Sequence, residues 1–173
     1  MAEIKIIYGS TTGNTEAAAE KIAAALGGTA IPVAEADGDS FQADLLILGS
    51  STWGAGDLQD DWIAAEALLD AADLKDRTLA LFGLGDQVGF GDTFADAVGI
   101  LWRKVRSKGA RVIGFTRTDG YEFLSSSAAE NGCFAGLILD DNNQNDLTDS
   151  RIASWCDQLK QEAGLTDEKV ALS

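Results

Sequence analysis

A chain of 173 residues suits one domain of common size and buries roughly 70% of the surface its unfolded form exposes, so no disulfide or metal is needed to hold a core. Hydrophobic residues make up 46% and charged residues 24%, which excludes wholesale disorder and a fibrous repeat. With 13 Lys+Arg against 28 Asp+Glu the net charge is −15; phosphate backbones and anionic lipids are repelled, and neither nucleic acid nor a membrane is an expected partner.

Five short apolar runs read as strands: Ile4 to Tyr8, Ala30 to Val33, Leu45 to Leu48, Leu79 to Phe82 and Val112 to Phe115. They lack period-two alternation, as strands covered on both faces do. Between the first two, Ala18, Ile22, Ala25 and Leu26 form a helical stripe closed by Gly27-Gly28, glycines of the kind helix ends favour. Phe94, Ala97, Val98, Leu101, Trp102 and Val105 form a second stripe; Thr93 followed by Asp96 predicts a capping box and a helix starting near Thr93. Residues 117 to 132 are polar, Asn131-Gly132 predicts a tight turn, and Phe134 to Leu139 is a further apolar run. This stretch is expected to be a surface excursion between two pieces of an edge strand. A last helix carries Ile152, Trp155, Cys156 and Leu159 on one face, with Thr148 as expected N-cap and Leu147 and Ile152 as a hydrophobic staple. Alternating strands and helices imply a doubly wound α/β fold with a parallel sheet, because parallel neighbours need long right-handed crossovers.

Histidine is absent, which excludes Ser-His-Asp and Cys-His chemistry. Cys133 and Cys156 read as reduced thiols, and Glu3 and Lys5 interrupt the N-terminus before any long apolar run; the expected location is the cytoplasm. In open parallel sheets ligands bind beyond the carboxyl ends of the strands, where strand order reverses. The first such loop is Gly9 to Thr15. It has Asn14 where a nucleotide P-loop needs lysine, and it lacks the glycines of a dinucleotide fingerprint. What remains is a phosphate cradle of backbone N–H groups and hydroxyls from Ser10, Thr11, Thr12 and Thr15. Two later loops, Ser50 to Asp57 and Gly83 to Thr93, each place one large aromatic, Trp53 or Phe90, among glycines and polar residues. Two such rings on facing loops suit a sandwich around a flat ring system.

Ser10 to Thr15, Ser51-Thr52-Trp53 with Gly56 to Gln59 and Asp61-Trp62, and Leu81 to Gly89 together resemble the flavodoxins. Thr118 to Phe123, Phe134 to Asp140, Asn142 to Gln144 and Leu147 to Asp149 resemble the long-chain branch, and the likeness spans nearly the whole chain. The resemblance implies a single domain with a five-stranded parallel sheet, its last strand split by an insert, and one non-covalently bound FMN. It places the phosphate at Ser10, Thr11, Thr12, Gly13, Asn14 and Thr15, and the ribityl chain at Thr52 beside Ser51. Trp53 takes the inner flavin face and Phe90 the outer one. The Gly54-Ala55 peptide, before Gly56, offers a carbonyl to the flavin N5. Gly85, Asp86 and Gln87 address the pyrimidine edge, and Thr93 contributes through its backbone. Three positions depart from the family pattern: Phe90 replaces a usual tyrosine, Ser51 a usual proline and Thr93 a frequent asparagine.

The implied activity is low-potential one-electron transfer between redox proteins by a monomer, with reductases that handle NADP, ferredoxin or flavodoxin as the expected donors or acceptors. Six of the 13 basic residues lie between Arg103 and Arg117 without an acid among them, and four of these are expected in or just beyond the last turns of the helix that carries Phe94 to Val105, at the end of the sheet opposite the expected site. Asp57, Asp60, Asp61, Asp86, Asp92, Asp96, Asp140, Asp141 and Asp146 are expected to ring the flavin end, to oppose full reduction and to dock basic partner faces. The rival reading is a flavoenzyme reducing quinones with a nicotinamide cofactor. It needs an open flavin face, which Phe90 covers. The run from Asp140 to Asp146 lacks the glycine and glutamate of a calcium loop.

Overall fold

The computed structural model describes residues 3–9, 13–53 and 56–164. Its first unit is β1 (Ile4–Gly9), α1 (Asn14–Leu26) and β2 (Thr29–Pro32). Gly27 ends α1 in the left-handed conformation that the glycine pair predicts, and Gly28 N–H reaches back to the Ala23 carbonyl at 2.9 Å. β3 (Leu45–Trp53) pairs antiparallel with the short β4 (Asp57–Leu58), and α2 (Asp60–Ala64) and α3 (Glu66–Ala71) follow. Then come β5 (Thr78–Leu84), α4 (Asp96–Ser107) and β6 (Arg111–Ile113). The insert carries β7 (Thr116–Arg117), β8 (Ala129–Glu130) and β9 (Cys133–Phe134), a small antiparallel sheet. β10 (Leu137–Leu139) and α5 (Thr148–Glu162) complete the described chain.

The main sheet has the order β10-β5-β3-β1-β2, the order by which flavodoxin-like folds are defined. Its fifth strand is in two pieces. β6 pairs with the first half of β5, from Thr78 to Ala80, and β10 with the second half, from Phe82 to Leu84. The excursion between them is thereby explained. Strand side chains alternate between two cores: Leu46, Leu48, Leu79 and Leu81 face α2, α3 and α4, whereas Leu45, Ile47, Ala80 and Phe82 face α1 and α5. Cys156 lies in the second core, and burial pushes its thiol up to about 11.

Several boundaries differ from the sequence expectation. α4 starts at Asp96 rather than near Thr93: Ala95 is its N-cap, with φ 55°, and no Thr93–Asp96 box forms. The Asp96 carboxylate instead accepts from Ser127 N–H at 2.7 Å, and the helix donor Ala97 N–H is taken by Thr52 Oγ1 at 3.1 Å. Tertiary partners have displaced the local motif. Thr148 is the first residue of α5 rather than its cap, because its hydroxyl bonds to the Asp141 carboxylate. Leu147 is 37% exposed, so the staple is not closed. The second strand ends at Pro32, since Val33 opens a 3-10 turn. The third runs on from Leu48 to Trp53. The run from Val112 stops at Ile113, where Gly114 turns with φ 82°. Residues 134 to 139 are split by Gly136, which crosses directly over the Leu81 carbonyl. Asn131-Gly132 forms the expected two-residue hairpin turn between β8 and β9, both with positive φ.

Candidate functional site

Strand order reverses between β1 and β3, so the loops after β1, β3 and β5 open at the same end of the sheet. Gly13 caps α1 with φ 92°, a conformation costly for other residues, and aims the first turn of the helix into that opening. The first-turn N–H groups have no partners within the helix, and the helix dipole adds a partial positive charge there. An anionic group is favoured beside Asn14 and Thr15.

A cavity of about 280 Å³ lies among these loops. Asn14 and Thr15 form one wall, Ser51 and Thr52 the next, and Gly85, Asp86, Phe90 and Thr93 the one opposite; Asp141 and Asn142 complete the rim. Eight of the expected site residues are thus brought together by three separate stretches of chain. Phe90 is 54% exposed, a large ring presented to an opening rather than to a core. Thr52 accepts from Ala97 N–H and keeps its hydroxyl proton to donate. Gly56 is buried in the turn before β4. Ser10, Thr11, Thr12, Gly54 and Ala55 lie outside the described residues; of Trp53, the backbone closes β3 by pairing with Asp57.

Asp86 holds its own loop together. Its carboxylate accepts from Gly89 N–H at 2.7 Å, Val88 N–H at 3.0 Å and the amides of Asn143 and Asn142 at 2.8 and 3.3 Å. The Gly89 N–H above all, then the Asn143 amide, keeps its pKa below the ordinary carboxylate value. Gln87 differs from its neighbours. It is buried, and its side chain is engaged by the Asp140 carboxylate and by Glu122 N–H rather than lining this cavity.

Asp140 and Asp96 depart from the expected acidic ring. Asp140 is fully buried beneath the loops, and Asp96 is turned inward onto Ser127. Sequence reasoning did not place Leu84, Phe94 or Ala95 in the site, and it gave Asp141 only as part of the acidic ring and Asn142 only as part of a family motif; all five line the cavity. The last two follow the split fifth strand, and the rule that led to the other loops applies to that loop as well. Phe94, Ala95 and Leu84 are apolar and look like ordinary core. The insert contributes too: Phe94 packs against Phe123 and Phe134, with ring centroids 5.4 and 5.9 Å apart.

The family model described as Flavodoxin matches residues 6–155. Flavodoxins of Nostoc sp. and Synechococcus elongatus are each 44% identical, over 94% and 95% of this chain and 98% and 100% of theirs. A flavodoxin of Fusobacterium nucleatum, whose crystal structure contains flavin mononucleotide, superimposes with a TM-score of 0.88 at 33% identity, covering 94% of this chain and 99% of its own. The sheet order, the split fifth strand and these matches agree: the chain belongs to the flavodoxin family.

Proposed function

We infer that this chain is an FMN-dependent electron-transfer protein, not an enzyme with a substrate of its own, and that it works with redox partner proteins. The observation that carries this reading is the cavity at the β1/β3 switch point, bounded by α1 and the Phe90 loop, in a member of the flavodoxin family. The residues present fit FMN. A helix N-terminus suits its phosphate, hydroxyl side chains suit its ribityl chain, and an exposed aromatic suits its ring. When bound, FMN supplies the ability to take up and release electrons one at a time.

In this reading Ser10 to Thr15 hold the phosphate without a cationic side chain, Thr52 donates to the ribityl chain, and Trp53 and Phe90 enclose the ring. Gly54 and Ala55 offer a backbone carbonyl, and Asp86 shapes the loop at the pyrimidine edge. Gln87 acts there through its backbone, because its amide is already engaged. Phe90 also limits access to the outer face, which disfavours nicotinamide chemistry.

Asp86 and Asp141 border the cavity, exposed Asp92 follows Phe90 on its loop and exposed Asp57 and Asp60 follow the end of β3, whereas Lys104, Arg106 and Lys108 sit at the far end of α4, roughly 18 Å along the helix. At an effective dielectric of ~20, one unit charge ~8 Å away contributes about 2 kcal/mol before salt screening. The field therefore opposes adding negative charge at the site, which makes a low-potential donor, and it steers basic faces of partners to the same end. The two thiols are free, as the reducing cytoplasm keeps them, and no described helix is long and apolar enough to cross a membrane.

Titration of flavin-free protein with FMN, followed by flavin fluorescence, tests the reading. Saturable one-to-one binding tighter than about 1 μM, with slow bleaching when NADPH alone is added, is the expected result. No uptake at that concentration overturns FMN use, and rapid bleaching by NADPH overturns the carrier assignment in favour of a flavoenzyme.

A further inference from the structure

We propose that the buried Asp140 carboxylate is the positioning residue of the cofactor site, setting the loop that carries Phe90 through its bonds to both amides of Gln87. Asp140 lies immediately after β10 with no solvent exposure. Its oxygens accept from Gln87 N at 3.0 Å and Gln87 Nε2 at 2.7 Å, and from the Asn143 backbone and side-chain amides at 3.0 and 2.9 Å. Gln87 Oε1 in turn accepts from Glu122 N–H at 2.6 Å. One carboxylate thus joins three segments distant in sequence: the end of the sheet, the Phe90 loop and the insert.

The loop needs such an anchor because open space lies on both of its sides. Asp86 and Phe90 border the 280 Å³ cavity, while Val88, Gly89 and Gly91 border a second cavity of about 1080 Å³ shared with residues of the insert. A loop with open space on both sides takes its position largely from its attachments. Those attachments are the Asp140–Gln87 pair, the Asn142 and Asn143 amides on Asp86, and the Gly91 carbonyl, which accepts from Leu124 and Ser125 N–H at 2.8 and 3.0 Å. Phe90 follows, since its N–H bonds to the Asp86 carbonyl at 2.9 Å. Every group facing the Asp140 oxygens is a donor, so an amide of the same size must turn its own N–H₂ toward another donor.

The inference rests on the FMN reading of the site, and Asp140→Asn tests it with readouts that separate the two. In flavin-free protein, amide exchange at Gln87 and Glu122 is expected to quicken at least tenfold while β1 and β3 keep their protection. In loaded protein, the FMN Kd is expected to rise at least tenfold and the midpoint potential for the second electron to move upward. A folded variant in which any of these three stays at the wild-type value overturns the proposal. Where Asp140→Asn does not fold, Gln87→Met takes its place. It keeps the buried charge, so a shifted potential there reports loop position, and unchanged exchange, affinity or potential overturns the proposal equally. A wild-type protein that takes no FMN overturns the reading of the site, whereas the exchange measurement still decides the role of Asp140.

Discussion

Phe90 and Asp86 sit four residues apart on one loop and do different work. A ring 54% exposed in a glycine-rich loop contributes little to the core, so its removal acts on binding rather than on folding. Aromatic stacking is worth about 0.5–1.5 kcal/mol beyond area burial. Phe90→Ala is therefore expected to weaken FMN binding roughly tenfold with little change in the urea midpoint of the flavin-free protein, and Phe90→Tyr to leave affinity within about threefold. Asp86 has a lowered folded pKa, so its stabilisation is present above the usual carboxylate value near 3.8 and is lost as pH falls through the lower folded value. The stability gap between wild type and Asp86→Asn, measured by urea unfolding, is expected to be full above about pH 4 and to close below it; a gap that widens on acidification contradicts this. Phe90 was legible in the sequence because a large ring among glycines has no core to enter. The partners of Asp86 were not, since Asn142 and Asn143 arrive from a loop more than fifty residues away.

Local grammar located elements better than it located their ends. Gly27 and the Asn131-Gly132 hairpin were readable because a positive φ is a requirement of the backbone itself and few residues meet it. The start of α4 was not, because its capping acceptor is supplied by Thr52, 45 residues earlier on β3. The strand end therefore serves two purposes: it caps the helix and borders the cavity. Thr52→Val retains the shape and removes the acceptor, leaving Ala97 N–H unpaired, so a loss of about 1 kcal/mol in folding stability is expected from the missing cap. Weaker FMN binding is expected alongside it. Thr52→Ser, which restores the oxygen, is expected to recover most of both; equal losses in the valine and serine variants contradict the capping role. The split of the fifth strand was readable from the polar stretch between two apolar runs. That its aromatic residues Tyr121 and Phe123 return to pack beside Phe94 is decided by the topology.

At the scale of the molecule the dominant fact is a net charge of −15, legible in full from composition, whereas its layout required the fold. Exposed ion pairs, such as Lys21–Asp149 and Arg117–Asp119, are each worth at most about 1 kcal/mol. Against them stands the mutual repulsion of the unbalanced carboxylates, of which Asp86 and Asp141 border the cavity. Salt weakens both kinds of interaction, with a screening length of about 10 Å at 0.1 M. The pairs lose little because they are in contact, and the surplus charge, spread over longer distances, loses much. Sodium chloride at about 0.3 M is therefore expected to raise the urea midpoint of the flavin-free protein above its low-salt value. The same addition is expected to slow electron transfer to a partner with a basic face, because the steering that screening removes is attractive there. Opposite signs for folding and for transfer are the signature of one acidic field acting on both. A midpoint that falls with salt instead assigns net stability to the ion pairs, and a transfer rate indifferent to salt removes the acidic face from docking.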